Sequence, residues 1–337
     1  MLALIHAVRV PLAPPIDERL CGLTLLERAV LSAQSKGAER ILVVVREHDR
    51  ATASAVQGHP RVTLPVAIAC SAPAPEGGEP RLELHYDRVA EVLLRTAADR
   101  KEATRRLFEA CRKPVDGFIS RHLNRHISIE LSKLVVETRI SPNAMTAFTF
   151  SLSLVAAYFA VRGGYWPTLA AAFLMQCNSI LDGCDGELAR VRHQGSKLGQ
   201  WLDTVGDDWS NVIFWAALGY GARTVPGVGH WLALGGYVGA IGNGVAALAN
   251  YAVLARLGSG DFYALDAGKT KDRSGLIGAL VGVVELLLKQ DFFLFLMLLV
   301  AAAGLIQQAL IGIAVGAVVT AANSLVRAFV FFGKKRD

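Results

Sequence analysis

The stretch DGCDGELARVRHQGSKLGQWLDTVGD, residues 182–207, sets five carboxylates, two arginines and a lysine between two long apolar runs. Asp182 and Asp185 stand three apart where the first run ends. Gly199, Asp203 and Asp207 follow at four-residue intervals where the second begins. On helices, both spacings bring side chains to one face. Two helices joined by a short loop are adjacent antiparallel partners, so the spacing predicts four converging carboxylates. Bare carboxylates in a low-dielectric site repel one another, and burying each is costly. Cations between them remove the difficulty. The ligand atoms are hard oxygens, with no Cys or His at matching spacing, which favours Mg²⁺ or Mn²⁺ over zinc. Four carboxylates suit two divalent ions about 3.5–4 Å apart, as in phosphoryl-transfer sites. Gly186 leaves room for a flat group beside a ligand, and Gly199 lets the helices approach. Arg190 offers a bidentate fork to a phosphate.

The flanks extend this reading to the whole chain. Of 337 residues, 53% are hydrophobic, and the mean hydropathy is +0.37. That balance is too apolar for an ordinary soluble domain and too diluted for a purely embedded one. The fold class expected is an α-helical membrane protein with six transmembrane helices, preceded by a small α/β cytoplasmic domain. The spans fall near 145–163, 167–187, 199–221, 231–255, 291–307 and 309–331, with an uncharged turn at Gln307–Gln308. Each approaches the length that a hydrocarbon core of about 30 Å requires. Basic residues cluster at Arg121–Arg139, Arg190–Lys197, Arg256–Arg273 and Lys334–Arg336, all on one side of such a layout. The opposite loops hold little beyond Arg162 and Arg223, so the active site and both termini are expected to face the cytoplasm. An apolar piece at 275–288 is too short to span and would lie in the interface.

The composition changes near residue 140. Before it, LALIHAV (2–8), ILVVV (41–45) and VTLPVAIAC (62–70) read as strands. LTLLERAVLSAQSKG has helical spacing and a Gly where a helix should stop. These segments predict an α/β domain over residues 1–110. Residues 111–141 follow as an interfacial linker, with Ile119, Leu123, Ile127, Leu131 and Leu134 at helical spacing and Arg121, Arg125 and Lys133 off that stripe. Residues 142–337 form the six-span domain. The net charge of +6 needs no nucleic-acid partner. Five scattered cysteines without a C-x-x-C pair argue against a disulfide framework or zinc site. MLALIHAVRVPLAPP has no basic n-region, so membrane targeting is expected from internal spans.

The order Asp182-x2-Asp185-Gly186-x2-Ala189-Arg190-x8-Gly199-x3-Asp203-x3-Asp207 resembles, at all eight fixed positions, the signature of the CDP-alcohol phosphotransferases. The resemblance covers roughly residues 113–335. It implies attack of an acceptor hydroxyl on the β-phosphorus of a CDP-alcohol donor, with release of CMP and formation of a phosphodiester. It further implies metal ligation by Asp182, Asp185, Asp203 and Asp207, with Asp207 as general base. Gly186 and Ala189 would make room for the cytidine, and Arg190 would hold the diphosphate. SPNAMT (141–146) is similar to the family's first-span opening, which adds Pro142, Asn143 and Thr146 to the nucleotide side. Membrane lipids are implied as surroundings, and a homodimer as the assembly.

Lys197 and Lys289 are candidate acceptor contacts, although a lysine at a span end is ordinarily an interfacial snorkel. Asp208, directly after the last motif aspartate, disfavours an anionic acceptor unless Lys197, Arg256, Lys269 or Arg273 offsets it. The N-terminal segment 22–45 resembles part of a sugar-nucleotide transferase. Residues 113–128 resemble the junction of bifunctional inositol-phosphate cytidylyltransferase/di-inositol-phosphate-phosphate synthases. VRVPLAPPIDERLCG stands where a Gly-rich phosphate loop would be needed, so this domain is read as lacking chemistry of its own. His122 and His126, four apart, read as a solvated face. Two alternatives stay open: a cation-binding transporter, and a bifunctional enzyme that also makes the CDP-alcohol.

Overall fold

The computed structural model describes residues 1–7, 13–70, 81–113, 116–260 and 289–333. The start of the proline-rich stretch (8–12), the 275–288 segment, Lys269, Arg273 and the basic residues 334–336 lie outside the described residues. The chain divides into two compact units.

The first unit comprises Met1–Lys113, Ser132–Arg139 and Glu187–Gln194. Its elements are β1 (Leu2–His6), β2 (Arg19–Leu20), β3 (Leu23–Thr24), α1 (Leu25–Ser35), β4 (Arg40–Val44), α2 (Arg50–Ser54), β5 (Val66–Ala69), β6 (Arg81–His85), β7 (Arg88–Val89), β8 (Val92–Leu93) and α3 (Ala97–Glu109). The main sheet has order β5-β4-β1-β6 with every neighbour parallel. α1 starts at a capping box: the Glu27 N–H donates to Thr24 Oγ1, and the Thr24 N–H donates back to Glu27. It stops before Gly37, whose φ of +83° is left-handed. β6 was not legible, because RLELH is an edge strand that pairs only with β1 and alternates charge with leucine. Ile5, Ile41, Val43 and Phe108 fill the core. Two buried guanidiniums organise the margin. Arg28 donates to the carbonyls of Leu20, Cys21 and Val191, and Arg192 donates to those of Val135, Val136 and Thr138.

α4 (Arg125–Val135) follows a π-helical turn at Ser120–Asn124. It buries Ser128, Ile129 and Ser132, and Asn124 and Val136, which flank it, are buried with them. Asn124 donates to Ser179 and accepts from Gln176. The apolar stripe is divided: Ile127 and Leu134 are exposed, Leu123 and Leu131 are partly buried, and Ile119, ahead of the helix, is buried. Arg125 turns partly inward to pair with Asp116 at 3.1 Å.

The second unit holds α5 (Pro142–Arg162), most of α6 (Tyr165–Val191), α7 (Lys197–Ala222), α8 (Gly229–Leu257), α9 (Gln290–Ala302) and α10 (Ile306–Gly333). A helix thus stands at each of the six expected segments. Three of them, α5, α8 and α10, are long and apolar enough to cross a membrane by length and composition. The expected turn at Gln307–Gln308 is corrected: α9 ends before Gly304, which takes the left-handed conformation at φ +73°, and both glutamines lie in the first turn of α10. α7 packs on α5 and α8, and α8 on α10. Ala156, Met175, Phe214, Trp215, Leu294 and Leu310 meet in the core. α7 and α8 approach through Gly219 and Gly236; a Cβ on Gly236 would lie 2.4 Å from the Gly219 Cα.

Candidate active site

α6 carries Asp182 and Asp185 in its last three turns, and α7 carries Asp203 and Asp207 in its first three. Ser196 starts α7 by accepting the Gly199 N–H at 2.9 Å, which sets the phase of Asp203 and Asp207 on the helix. Carboxylate oxygens of Asp182, Asp185 and Asp203 all lie within 4.8 Å of one another. The Asp207 carboxyl meets Asp182 at hydrogen-bonding range and lies within Coulombic reach of Asp185 and Asp203. Among the described residues the three aspartates are the metal-competent cluster of His, Cys, Asp or Glu side chains.

The donor set fits a hard divalent cation. Mg²⁺ takes oxygens at about 2.1 Å, so opposite ligands stand about 4.2 Å apart. A 4.8 Å spread encloses that span. The cluster is also built from behind. Thr146, one turn into α5, donates its hydroxyl to Asp185 Oδ2, and Asp185 is 7% exposed. A hydroxyl donated to a ligating carboxylate fixes its orientation. Thr146, expected on the nucleotide side, is thereby placed directly behind a carboxylate.

α5 itself opens at Ser141, which accepts the Ala144 N–H, with Pro142 at the first helical position. Asn143 reaches α7. A Cβ on Gly199 would stand 3.1 Å from Asn143 Oδ1, so the glycine leaves the asparagine its place. Gly186 and Ala189 are partly buried on α6, and Arg190 is exposed near its end. Lys197, in the first turn of α7, and Lys289, just before α9, are both exposed.

Other polar residues had no signal in spacing. Glu187, inside the motif at one of its variable positions, is fully buried and accepts from Ser132 Oγ at 2.7 Å. Asp291 is buried and accepts the Ser120 N–H at 2.7 Å, which anchors the turn that leads into α4. Its carboxylate lies where a Cβ on Gly117 would stand. Tyr251 on α8 faces Asp208. Each of these contacts joins positions far apart in the chain, and only an aromatic or a carboxylate in an apolar run could have hinted at them.

Comparison with known proteins places this geometry in context. The family model described as CDP-alcohol phosphatidyltransferase matches residues 139–320, more than half of the chain. A bifunctional IPC transferase and DIPP synthase from Thermococcus kodakarensis is 39% identical over 147 residues, which cover 43% of this chain and 33% of the relative. A protein of the same name from Aquifex aeolicus is 40% identical over 124 residues, covering 36% and 28%. A phosphatidylinositol phosphate synthase from Mycobacteroides abscessus is 26% identical over 119 residues, covering 33% and 52%. The chain thus spans about a third of the length of the first two relatives.

Proposed function

Since the chain belongs to the CDP-alcohol phosphatidyltransferase family, we propose that it is an integral membrane phosphotransferase joining a CDP-alcohol donor to a hydroxyl acceptor. The observation that carries this is the convergence of Asp182, Asp185 and Asp203, with Asp207 against Asp182. Phosphoryl transfer depends on positioning and on neutralising charge, and a carboxylate cluster would supply both by holding divalent cations.

Two Mg²⁺ or Mn²⁺ ions held by Asp182, Asp185, Asp203 and Asp207 would neutralise the diphosphate and acidify the acceptor hydroxyl. Asp207 takes the acceptor's proton. The freed oxygen attacks the donor's β-phosphorus, a new P–O bond forms, and the bond to the CMP phosphate breaks. CMP leaves with that electron pair. Arg190 pairs with the diphosphate, while Gly186, Ala189, Pro142 and Asn143 border the nucleotide. Thr146 holds Asp185 in place. The product is a phosphodiester, either a phospholipid or an inositol phosphodiester; the names of the curated relatives favour the latter. The α/β unit serves structure or regulation, six helices span the bilayer with the active site and both termini cytoplasmic, and two chains pair as a homodimer. A cation-binding transporter leaves Ala189 and Arg190 without a task.

Purified protein should release CMP from a CDP-alcohol only with Mg²⁺ or Mn²⁺. Asp207→Asn should lower kcat roughly 10²- to 10⁴-fold, the range a positioned general base supplies. Unchanged turnover in Asp207→Asn would remove the base. No CMP release from CDP-diacylglycerol, CDP-inositol or CDP-glycerol with any acceptor would overturn the function.

A further inference from the structure

α6 ends at Val191, one residue past Arg190, and the last four carbonyls of a helix have no partner within it. Here each has a donor. The Arg192 N–H donates to the Leu188 carbonyl at 2.9 Å, the Gln194 N–H to that of Ala189 at 2.7 Å, and the His193 N–H to that of Arg190 at 3.2 Å. The last two, with His193 left-handed at φ +50°, form the turn that usually closes a helix on a glycine. A residue with a Cβ holds that conformation only where its surroundings fix it. Two arginines from the α/β segment do so. Arg28 of α1 donates to the Val191 carbonyl at 2.8 Å, and Arg61, ahead of β5, donates to the Arg192 carbonyl at 2.7 Å. Both cations also face the negative end of the helix dipole. Arg28 is itself pinned, 3% exposed, by the carbonyls of Leu20 and Cys21 at 2.7 and 3.2 Å.

We propose that the α/β unit positions the donor: by closing the end of α6 with Arg28 and Arg61, it fixes the turn from which Arg190 reaches the diphosphate. This rests on the function proposed above, in which Arg190 pairs with that diphosphate. Helix ends ordinarily fray. A frayed end would let the Arg190 backbone wander, and donor binding would then bear the cost of ordering it. Tying the Val191 and Arg192 carbonyls to side chains 163 and 131 positions away removes that freedom before the donor arrives. Arg28 and Arg61 are therefore positioning residues, acting on the donor through Arg190. The unit gains a task in the reaction without chemistry of its own.

The test is binding of CDP with Mg²⁺ to the purified full chain in detergent, by titration calorimetry. That method reads affinity separately from the number of competent sites, so a variant that merely unfolds lowers the stoichiometry and leaves Kd unchanged. Arg190→Ala should raise the Kd about 10- to 100-fold, the worth of a hydrogen bond to a charged group. Arg61→Ala should raise it about 3- to 10-fold, the size of a coupling within one hydrogen-bond network. Arg61→Lys, which can still donate to the Arg192 carbonyl, should restore most of the affinity. Arg28→Lys keeps the charge but spans fewer of the three carbonyls, and should weaken CDP as Arg61→Ala does. The double variant Arg61→Ala with Arg190→Ala should bind CDP no more weakly than Arg190→Ala alone. An equal loss from Arg61→Ala with and without Arg190 overturns the inference and leaves the function standing. So does a Kd that neither Arg61→Ala nor Arg28→Lys changes, or undiminished CDP binding by Arg190→Ala. A wild-type chain that neither binds CDP nor releases CMP overturns the function, and the inference with it.

Discussion

At the scale of single residues, the molecule's polar interior is made of groups whose partners come from distant positions. Thr146 and Asp185 are 39 positions apart, and Ser132 and Glu187 are 55. His193 is the clearest titrating case outside the helices. It follows α6 at a positive φ of 50°, and burial, with Arg28 and Arg61 nearby, pushes its pKa down to about 4. The native state therefore keeps the ring neutral, while the unfolded chain protonates it near 6.5. Unfolding then takes up a proton, so stability is undiminished above about pH 6.5 and falls as pH drops toward 4. In chemical-denaturation curves, His193→Asn should flatten the loss of stability between pH 6.5 and 4.5. An identical pH slope in the variant would show that His193 is not the group responsible.

At the scale of elements, helix phase decides what each face meets. Spacing was enough to place the motif aspartates, because three- and four-residue steps keep a common face on any regular helix. It was not enough for α4. The apolar stripe of that helix reads as facing a membrane surface, and Ile127 and Leu134 are exposed; the burial of Asn124, just before the helix, and of Ser128 and Ser132 beside polar groups of α6 had no signal in spacing. For a helix beside a bilayer, lipid can take the apolar stripe while the protein takes the polar one. The α7–α8 contact carries its own prediction. A methyl on Gly236 would press into the Gly219 backbone, whereas one on Gly244 would meet its nearest neighbour, Val212, at 3.9 Å. Gly236→Ala should cost about 1–3 kcal/mol as overpacking, seen as a lower Tm in detergent, and Gly244→Ala should leave Tm nearly unchanged. Equal melting of the two variants would contradict the close approach.

At the scale of the whole molecule, orientation is the property most open to direct measurement. Cys70, at the end of β5, is exposed, whereas Cys21, Cys111 and Cys184 are buried. Its thiol donates to Glu47, whose carboxylate pushes the thiol pKa up, so labelling should be carried out at alkaline pH. In intact cells an impermeant maleimide should fail to label the protein, and permeabilisation should restore labelling that Cys70→Ser then removes. Labelling of intact cells through Cys70 would place the α/β unit outside and invert the proposed topology. What the sequence by itself determined is local and periodic: six helical segments, the α1 helix with its cap, three of the four sheet strands, and the carboxylate spacing that names the chemistry. Those follow from nearest-neighbour geometry, which is the same wherever a helix or strand sits. Only the tertiary structure decided that Thr146 stands behind Asp185, that α4 turns its polar side inward, and that Asp208 meets Tyr251. Such pairings depend on which surface of one helix faces which surface of another, and no periodicity within either segment encodes that.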